Sequence, residues 1–291
     1  MITLLSTIFS ILVIIQFILR NFANGFLALV SCIDWVKRQK ISSIDVIVTA
    51  MAVSRIVLLC VMLIHWYYVL LHPALYGFKI RTIVHVAWTI SNHYSTWLAT
   101  SLSIFYFHFS SLIFLHPKWR VKSVALMMML GTSLILFIQV AVLSIGEAIQ
   151  IKEYEGNATQ KTKLRDILHL SNVTLFTLTN FIPFSMSLTS FLLLIFSLWK
   201  HLRKMQLNDP SSKAHVRAMI MAMPFLILLA IHFLSHLMTT FHHNVMQSEL
   251  AFMLAEALGT IYPSVHSFVL ILGNDKLRKA SLLVLWQLRC G

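Results

Sequence analysis

Acidic residues are scarce in this chain: 10 Asp and Glu stand among 291 residues, and all charged side chains together reach only 11%. A soluble domain carries about a quarter, so a water-exposed enzyme surface does not suit this composition. The three cysteines, Cys32, Cys60 and Cys290, sit in or beside apolar runs or at the terminus, and no extracellular disulfide framework can be drawn from them. Eight Gly and six Pro exclude fibrous repeats and low-complexity disorder. Nor do they fall in matched halves, as the broken helices of a secondary transporter require. There is no Gly-x-Ser-x-Gly and no close His/Glu metal pattern, so neither an enzyme nor a cofactor is indicated.

What the chain has in abundance is apolar residues, at 58%. Runs bounded by charge or turn residues lie at 4–33, 46–71, 82–115, 121–146, 173–199, 218–242 and 250–273. Each is long enough to cross a bilayer, which takes about 20 residues of helix. The expected fold is an all-α membrane protein, a single seven-transmembrane helix bundle over 1–291. The first run lacks a basic start and continues past the length of a signal peptide, so it is read as a retained span. Residues 274–288 alternate Lys276, Arg278 and Lys279 with Leu277, Leu282, Leu283, Leu285 and Trp286, which suits a short amphipathic eighth helix in the interface. Cys290 beyond it could carry a lipid, but a lone terminal cysteine does not assign one.

The net charge of +13 orients the bundle. Lys37, Arg38, Lys40, Lys118, Arg120, Lys122, Lys200, Arg203, Lys204, Lys213, Arg217, Lys276, Arg278, Lys279 and Arg289 fall on the odd loops and the tail. The even loops hold Lys79, Arg81, Lys152, Lys161, Lys163 and Arg165. Cations favour the cytoplasmic side, which puts the amino terminus outside and makes the basic excess a matter of topology and anionic lipid, with no nucleic acid implied. Two glycosylation sequons, at Asn157 and Asn172, lie between the fourth and fifth spans, on the outer face by the same count.

A charge inside a span costs roughly 2.5–3.5 kcal/mol on insertion scales. Arg55, mid-span among small residues, is therefore read as a polar latch or hydrogen-bond hub between helices. Counting inward from the outer ends, seven residues descend about 10 Å. Trp66, Trp88, Asn180, His236 and Glu256 share that level, with Asn92 one turn below Trp88. A ring of Trp, Asn, His and Glu describes a wet, aromatic-lined cavity for a small molecule, where Glu256 would meet cationic or hydrogen-bonding ligands and Trp88 would stack on apolar or cationic ones. His232 and His236 are spaced i, i+4, with His242 and His243 above. With no cysteine or carboxylate placed beside them they read as pocket lining or membrane-edge residues rather than a metal site. Pro183, Pro224 and Pro263 permit kinks in the last three spans, either hinges or fixed curvature. A retinal protein is excluded because 250–273 contains no lysine for a Schiff base.

Stretches within and between these runs resemble the mammalian type 2 bitter taste receptors along nearly the whole chain. They are Asn-Phe-Ala-Asn-Gly-Phe from Asn21, Trp-Val-Lys-Arg-Gln-Lys-Ile-Ser-Ser from Trp35, Ala-Val-Ser-Arg ending at Arg55, Asn92 to Tyr106, Pro183-Phe184, Ser197 to His201, Asp209 to Val216, and Tyr262 to Asn274. The resemblance implies a G-protein-coupled receptor in the plasma membrane that binds bitter small molecules and signals through a gustducin-type heterotrimeric G protein to phospholipase C and calcium. It also implies ligand contacts at Trp66, Trp88, Asn92, His93 and Glu256, with His232 at a site often Tyr or Phe in relatives. Asn24, Arg55, Tyr106 and His266 would form the inner activation network. Lys200, Arg203, Lys204, Lys213, His215 and Arg217 would face the G protein, and Asn157 would be the glycosylated outer-loop site.

The chain departs from the family pattern in three places. Phe107 to Leu112 is about four residues shorter than the usual inner end of the third helix, and the loop around Leu207-Asn208-Asp209 is short as well; both edits touch the G-protein face. Arg20 stands where relatives usually have Gly, and it is expected to pair with Glu256 across the first and seventh helices. The alternative classes are a small-solute transporter or channel and, among receptors, a pheromone-type chemoreceptor.

Overall fold

The computed structural model describes residues 2–38, 43–75, 77–111, 119–152, 158–203, 223–239 and 249–290. Among these the regular structure is entirely helical, with no strand. The helices are α1 (Ile2–Arg38), α2 (Ser43–Leu71), a 3-10 turn (Pro73–Leu75), α3 (Phe78–Ser111), α4 (Trp119–Lys152) and α5 (Ala158–Leu202), then α6 (Met223–Thr239), α7 (Glu249–Gly273) and α8 (Asp275–Cys290). Three stretches are both long and apolar enough to cross a membrane by length and composition: Ile14–Lys37, Asp45–His65 and Leu170–Lys200. Leu130–Gly146 and Met223–Thr239 are shorter apolar helices.

The outward faces explain the composition. Ile14, Ile18, Phe22 and Leu29 on α1, Val53 and Val57 on α2, Leu130, Leu134 and Phe137 on α4, and Phe181, Leu192 and Phe196 on α5 are all exposed. An apolar exterior of this extent has lipid as its natural solvent. The interior carries the polar groups instead: Arg20, Asn24, Arg55, Asn92, His93, Gln139, Asn180, His232 and His266 are all buried.

Two apolar clusters hold the helices. Ala23, Leu27, Val48, Met51, Ala52, Ala99, Leu102, Ile271 and Leu277 join α1, α2, α3, α7 and α8, the alanines letting the backbones approach. Phe191, Leu194, Leu198, Phe225, Leu229 and Tyr262 join α5, α6 and α7. Tyr106 packs partly buried against both. Helix hydroxyls find acceptors one turn back, as Thr49 on the carbonyl of Asp45, Thr96 on Asn92, Ser101 on Trp97 and Thr179 on Leu175, which leaves few polar atoms for lipid to solvate.

The helix ends depart from the sequence expectation in one informative place. α5 begins at Ala158, where 158–172 reads as loop in the sequence, and runs 45 residues. At 1.5 Å per residue that is about 68 Å, twice a bilayer core. A helix outside lipid needs no apolar run, so Lys161, Lys163 and Arg165 can occupy helical turns in water. At the other end of the chain, Gly273 closes α7 and Asn274 caps α8: its side-chain oxygen accepts from the Lys276 N–H at 3.0 Å, and its carbonyl accepts from the Arg278 N–H at 2.9 Å. Leu277 is buried against the bundle while Leu282, Leu283, Val284 and Trp286 stay exposed, the one-sided pattern of a helix lying on lipid.

Candidate functional site: an aromatic column joined to a buried arginine

α3 and α5 run side by side as a ladder. Trp88 stacks on Phe176 with centroids 5.5 Å apart and planes 26° apart. One turn down, Asn92 donates to the Asn180 side-chain carbonyl at 3.3 Å. Below that, Thr100 shares its hydroxyl proton between the carbonyls of Thr96 and Pro183, at 3.0 and 3.2 Å, and accepts from Ser187 at 2.9 Å. Thr100 of α3 thus reaches the backbone of α5 at Pro183 itself.

α6 closes the Trp88 end of this ladder. His236 lies 6.1 Å from Trp88 and 5.8 Å from Phe176, and meets His232 edge to face at 4.4 Å. His232 Nδ1 is 2.8 Å from the Gly259 carbonyl on α7. A carbonyl only accepts, so Nδ1 carries the proton and Nε2 is the free acceptor. Gly259 permits this approach, because a Cβ there would stand 3.3 Å from the Ser235 Cβ. His232 also stacks on Tyr262 at 4.8 Å, and Tyr262 lies 5.4 Å from His266.

The column ends on Arg55, which is 1% exposed. Its Nη1 donates to His266 Nδ1 at 2.7 Å and to the Ser267 hydroxyl at 3.3 Å. Its Nε donates to Ser95 at 3.4 Å, and its guanidinium lies 5.7 Å from the Tyr262 ring centroid. Because arginine always donates, His266 accepts at Nδ1 and is neutral with its proton on Nε2. Ser267 passes its own proton to Asn24 at 2.7 Å, and Asn24 donates to the Arg20 carbonyl at 2.9 Å. A single guanidinium therefore ties α1, α2, α3 and α7 together.

The structure brings Trp88, His236 and His232 into one column, with Asn92 and Asn180 beside it, and gathers Asn24, Arg55 and His266 below. His93 is not part of that column: it contacts Tyr94 and Trp97 at 5.8 and 6.1 Å. Trp66 lies on α2 and Glu256 on α7, but their side chains are outside the described ones. Arg20 is buried and donates to Gln16 at 3.3 Å, and its expected pairing with Glu256 falls on a side chain outside the described ones. Lys200 and Arg203 are exposed at the end of α5, with Arg203 over the Trp199 ring at 4.1 Å. Lys204, Lys213, His215, Arg217 and Asn157 lie outside the described residues, and Asn172 is half-buried within α5. Among the described residues no group of three His, Cys, Asp or Glu is placed to hold a metal. Phe176 and Tyr262, which complete the column, were not singled out from the sequence, since an aromatic inside an apolar run carries no mark of its own.

The taste receptor protein (TAS2R) family model matches residues 1–289. Taste receptor type 2 member 30 of Pan troglodytes is 51% identical, with 99% of this chain and 93% of the relative covered. Member 31 of Pongo pygmaeus is 51% identical and member 46 of Homo sapiens 50%, each with 99% and 96% covered. These alignments run to 298 positions, more than the 291 residues here. The relatives therefore hold residues this chain lacks. The chain is a membrane receptor of the taste receptor type 2 family.

Proposed function

We propose that this protein is a G-protein-coupled receptor for bitter small molecules in the plasma membrane, with 1–291 forming one seven-span domain and the amino terminus outside. The observation that carries this reading is the continuous column from Trp88 through His236, His232 and Tyr262 to His266 and Arg55. A ligand held at the outer end among Trp66, Trp88, Asn92, Asn180, His236 and Glu256 would shift the packing of His232 against Tyr262, the contact between α6 and α7. Tyr262 and His266 share one helix face with Ser267 beside them, so that shift reaches the Arg55 hydrogen bonds and, through Tyr106, both apolar clusters. Rearrangement at the inner end would present Lys200, Arg203, Lys204, Lys213, His215 and Arg217 to a gustducin-type heterotrimer.

Calcium release on adding a bitter panel to cells expressing the protein, with and without a permissive G protein, tests this. The expected result is a response that requires the G protein. Uptake of a solute with no such requirement would favour a transporter.

The orientation has its own test. Asn157 immediately precedes α5, whereas Asn172 lies about 21 Å along it, near the membrane surface. Deglycosylation should shift the mobility of wild-type protein and of Asn172→Gln, and leave Asn157→Gln unmoved. Wild-type protein that carries no glycan when expressed at the cell surface would contradict the outward placement of this loop.

A further inference from the structure

Beside the column, α3, α4 and α5 line a cavity of about 10 Å³ formed by Thr89, Asn92, His93, Thr96, Trp97, Gln139, Phe176, Thr179 and Asn180. Three of these side chains carry polar atoms with no hydrogen-bond partner: both ring nitrogens of His93, the indole Nε1 of Trp97 and Oε1 of Gln139. All three residues are at least 96% buried. Each unpaired group in such a place costs free energy comparable to a lost hydrogen bond, and three around one small space require a common explanation.

We infer that the cavity is a hydration site, in which one water molecule bridges His93 and Trp97 of α3 to Gln139 of α4. The volume is at the threshold for a single water, which needs two to four polar partners. One water serves three of the four unpaired atoms: Trp97 N–H donates to the water oxygen, and the water donates to Gln139 Oε1 and to the unprotonated nitrogen of a neutral His93, whose own N–H is the fourth. The other lining groups are committed elsewhere. Thr96 and Thr179 donate to carbonyls of their own helices, and Asn92 and Asn180 donate to Asn180 and Phe176. No charged side chain lines the cavity, which leaves nothing to balance an anion or a metal cation, so neutral water is the species it takes.

The site also accounts for His93. Its neighbour Asn92 faces α5, and consecutive helical residues are about 100° apart, so His93 and Trp97, four residues on, share a face turned toward α4. His93 then acts as a positioning residue between helices, not as a ligand contact. This assignment does not depend on the receptor reading above.

A double-substitution cycle on purified receptor tests it. Gln139→Met removes one bond to the water with little change in volume, and Trp97→Phe removes another while also trimming the ring; Gln139→Met should lower the thermal midpoint by about 2–4 °C and Trp97→Phe by at least that. The double variant should fall by little more than the larger single loss, because either substitution alone already releases the water. Additive losses, or a midpoint that rises in a single variant, would overturn the proposal. Should either variant fail to express, a density map of the wild-type receptor at water-resolving detail serves instead: a peak within 3.2 Å of Trp97 Nε1 and Gln139 Oε1 is expected, and an empty cavity sinks it.

Discussion

Replacing Arg55 by Ala is expected to abolish signalling and to destabilise the receptor by about 3 kcal/mol, roughly a 6–12 °C fall in thermal midpoint. The substitution strips donors from His266, Ser267 and Ser95 at once, in a part of the bundle where His266 and Ser267 are fully buried. Ser267 would keep its bond to Asn24, so α1 and α7 stay linked while α2 loses its Arg55 ties to α3 and α7. Arg55→Lys should fall between wild type and Ala, because a point ammonium cannot span the separate acceptors on α3 and α7 that the guanidinium fork reaches. Thermal midpoint and calcium response measured on all three proteins check this. An Arg55→Ala receptor with wild-type midpoint would mean that the guanidinium is not the tie described.

Trp88→Ala should leave surface expression near wild type and raise the half-maximal concentration of a responding agonist about 30-fold. Trp88 is half-buried toward the start of α3, so its loss would open the proposed ligand layer without removing a packed core residue. Truncating a central aromatic anchor costs about 2 kcal/mol of binding, and 1.4 kcal/mol is tenfold in affinity. Trp88→Phe keeps a ring against Phe176 and His236 and should recover most of the loss. An unchanged concentration dependence in Trp88→Ala would remove this residue from the ligand layer.

Much of the architecture was legible because the apolar runs and the rare charges speak the same language. A run of apolar residues can only be a lipid-facing or buried helix, and a lone Arg55 within one has to find partners. The extension of α5 back to Ala158 was not legible, since the helical turns containing Lys161, Lys163 and Arg165 carry no apolar periodicity to separate them from a loop. Depth counting placed Trp88, Asn92, Asn180 and His236 at related levels, and the structure joins them through ring contacts and one hydrogen bond. Depth says nothing about direction around the helix, and His93, which the resemblance rather than the depth count placed with Asn92, has its ring contacts with Tyr94 and Trp97 of its own helix. Tyr262 was silent for another reason: its role depends on how closely α6 and α7 approach at Gly259, a tertiary fact with no local signature. The partners of Arg55 were equally hidden, because Ser95 and Ser267 resemble any other helix hydroxyl.

The central claim is that a bitter molecule bound among the outer-layer residues changes the inner face enough to activate a G protein. Agonist-stimulated nucleotide exchange on a purified heterotrimer, catalysed by the purified receptor in lipid nanodiscs, measures that claim with nothing else present. The account predicts exchange that rises with agonist for the wild type, shifts to higher concentration in Trp88→Ala and disappears in Arg55→Ala. A wild-type receptor that binds the agonist but leaves exchange at its basal rate, or an Arg55→Ala receptor that exchanges like wild type, would contradict it.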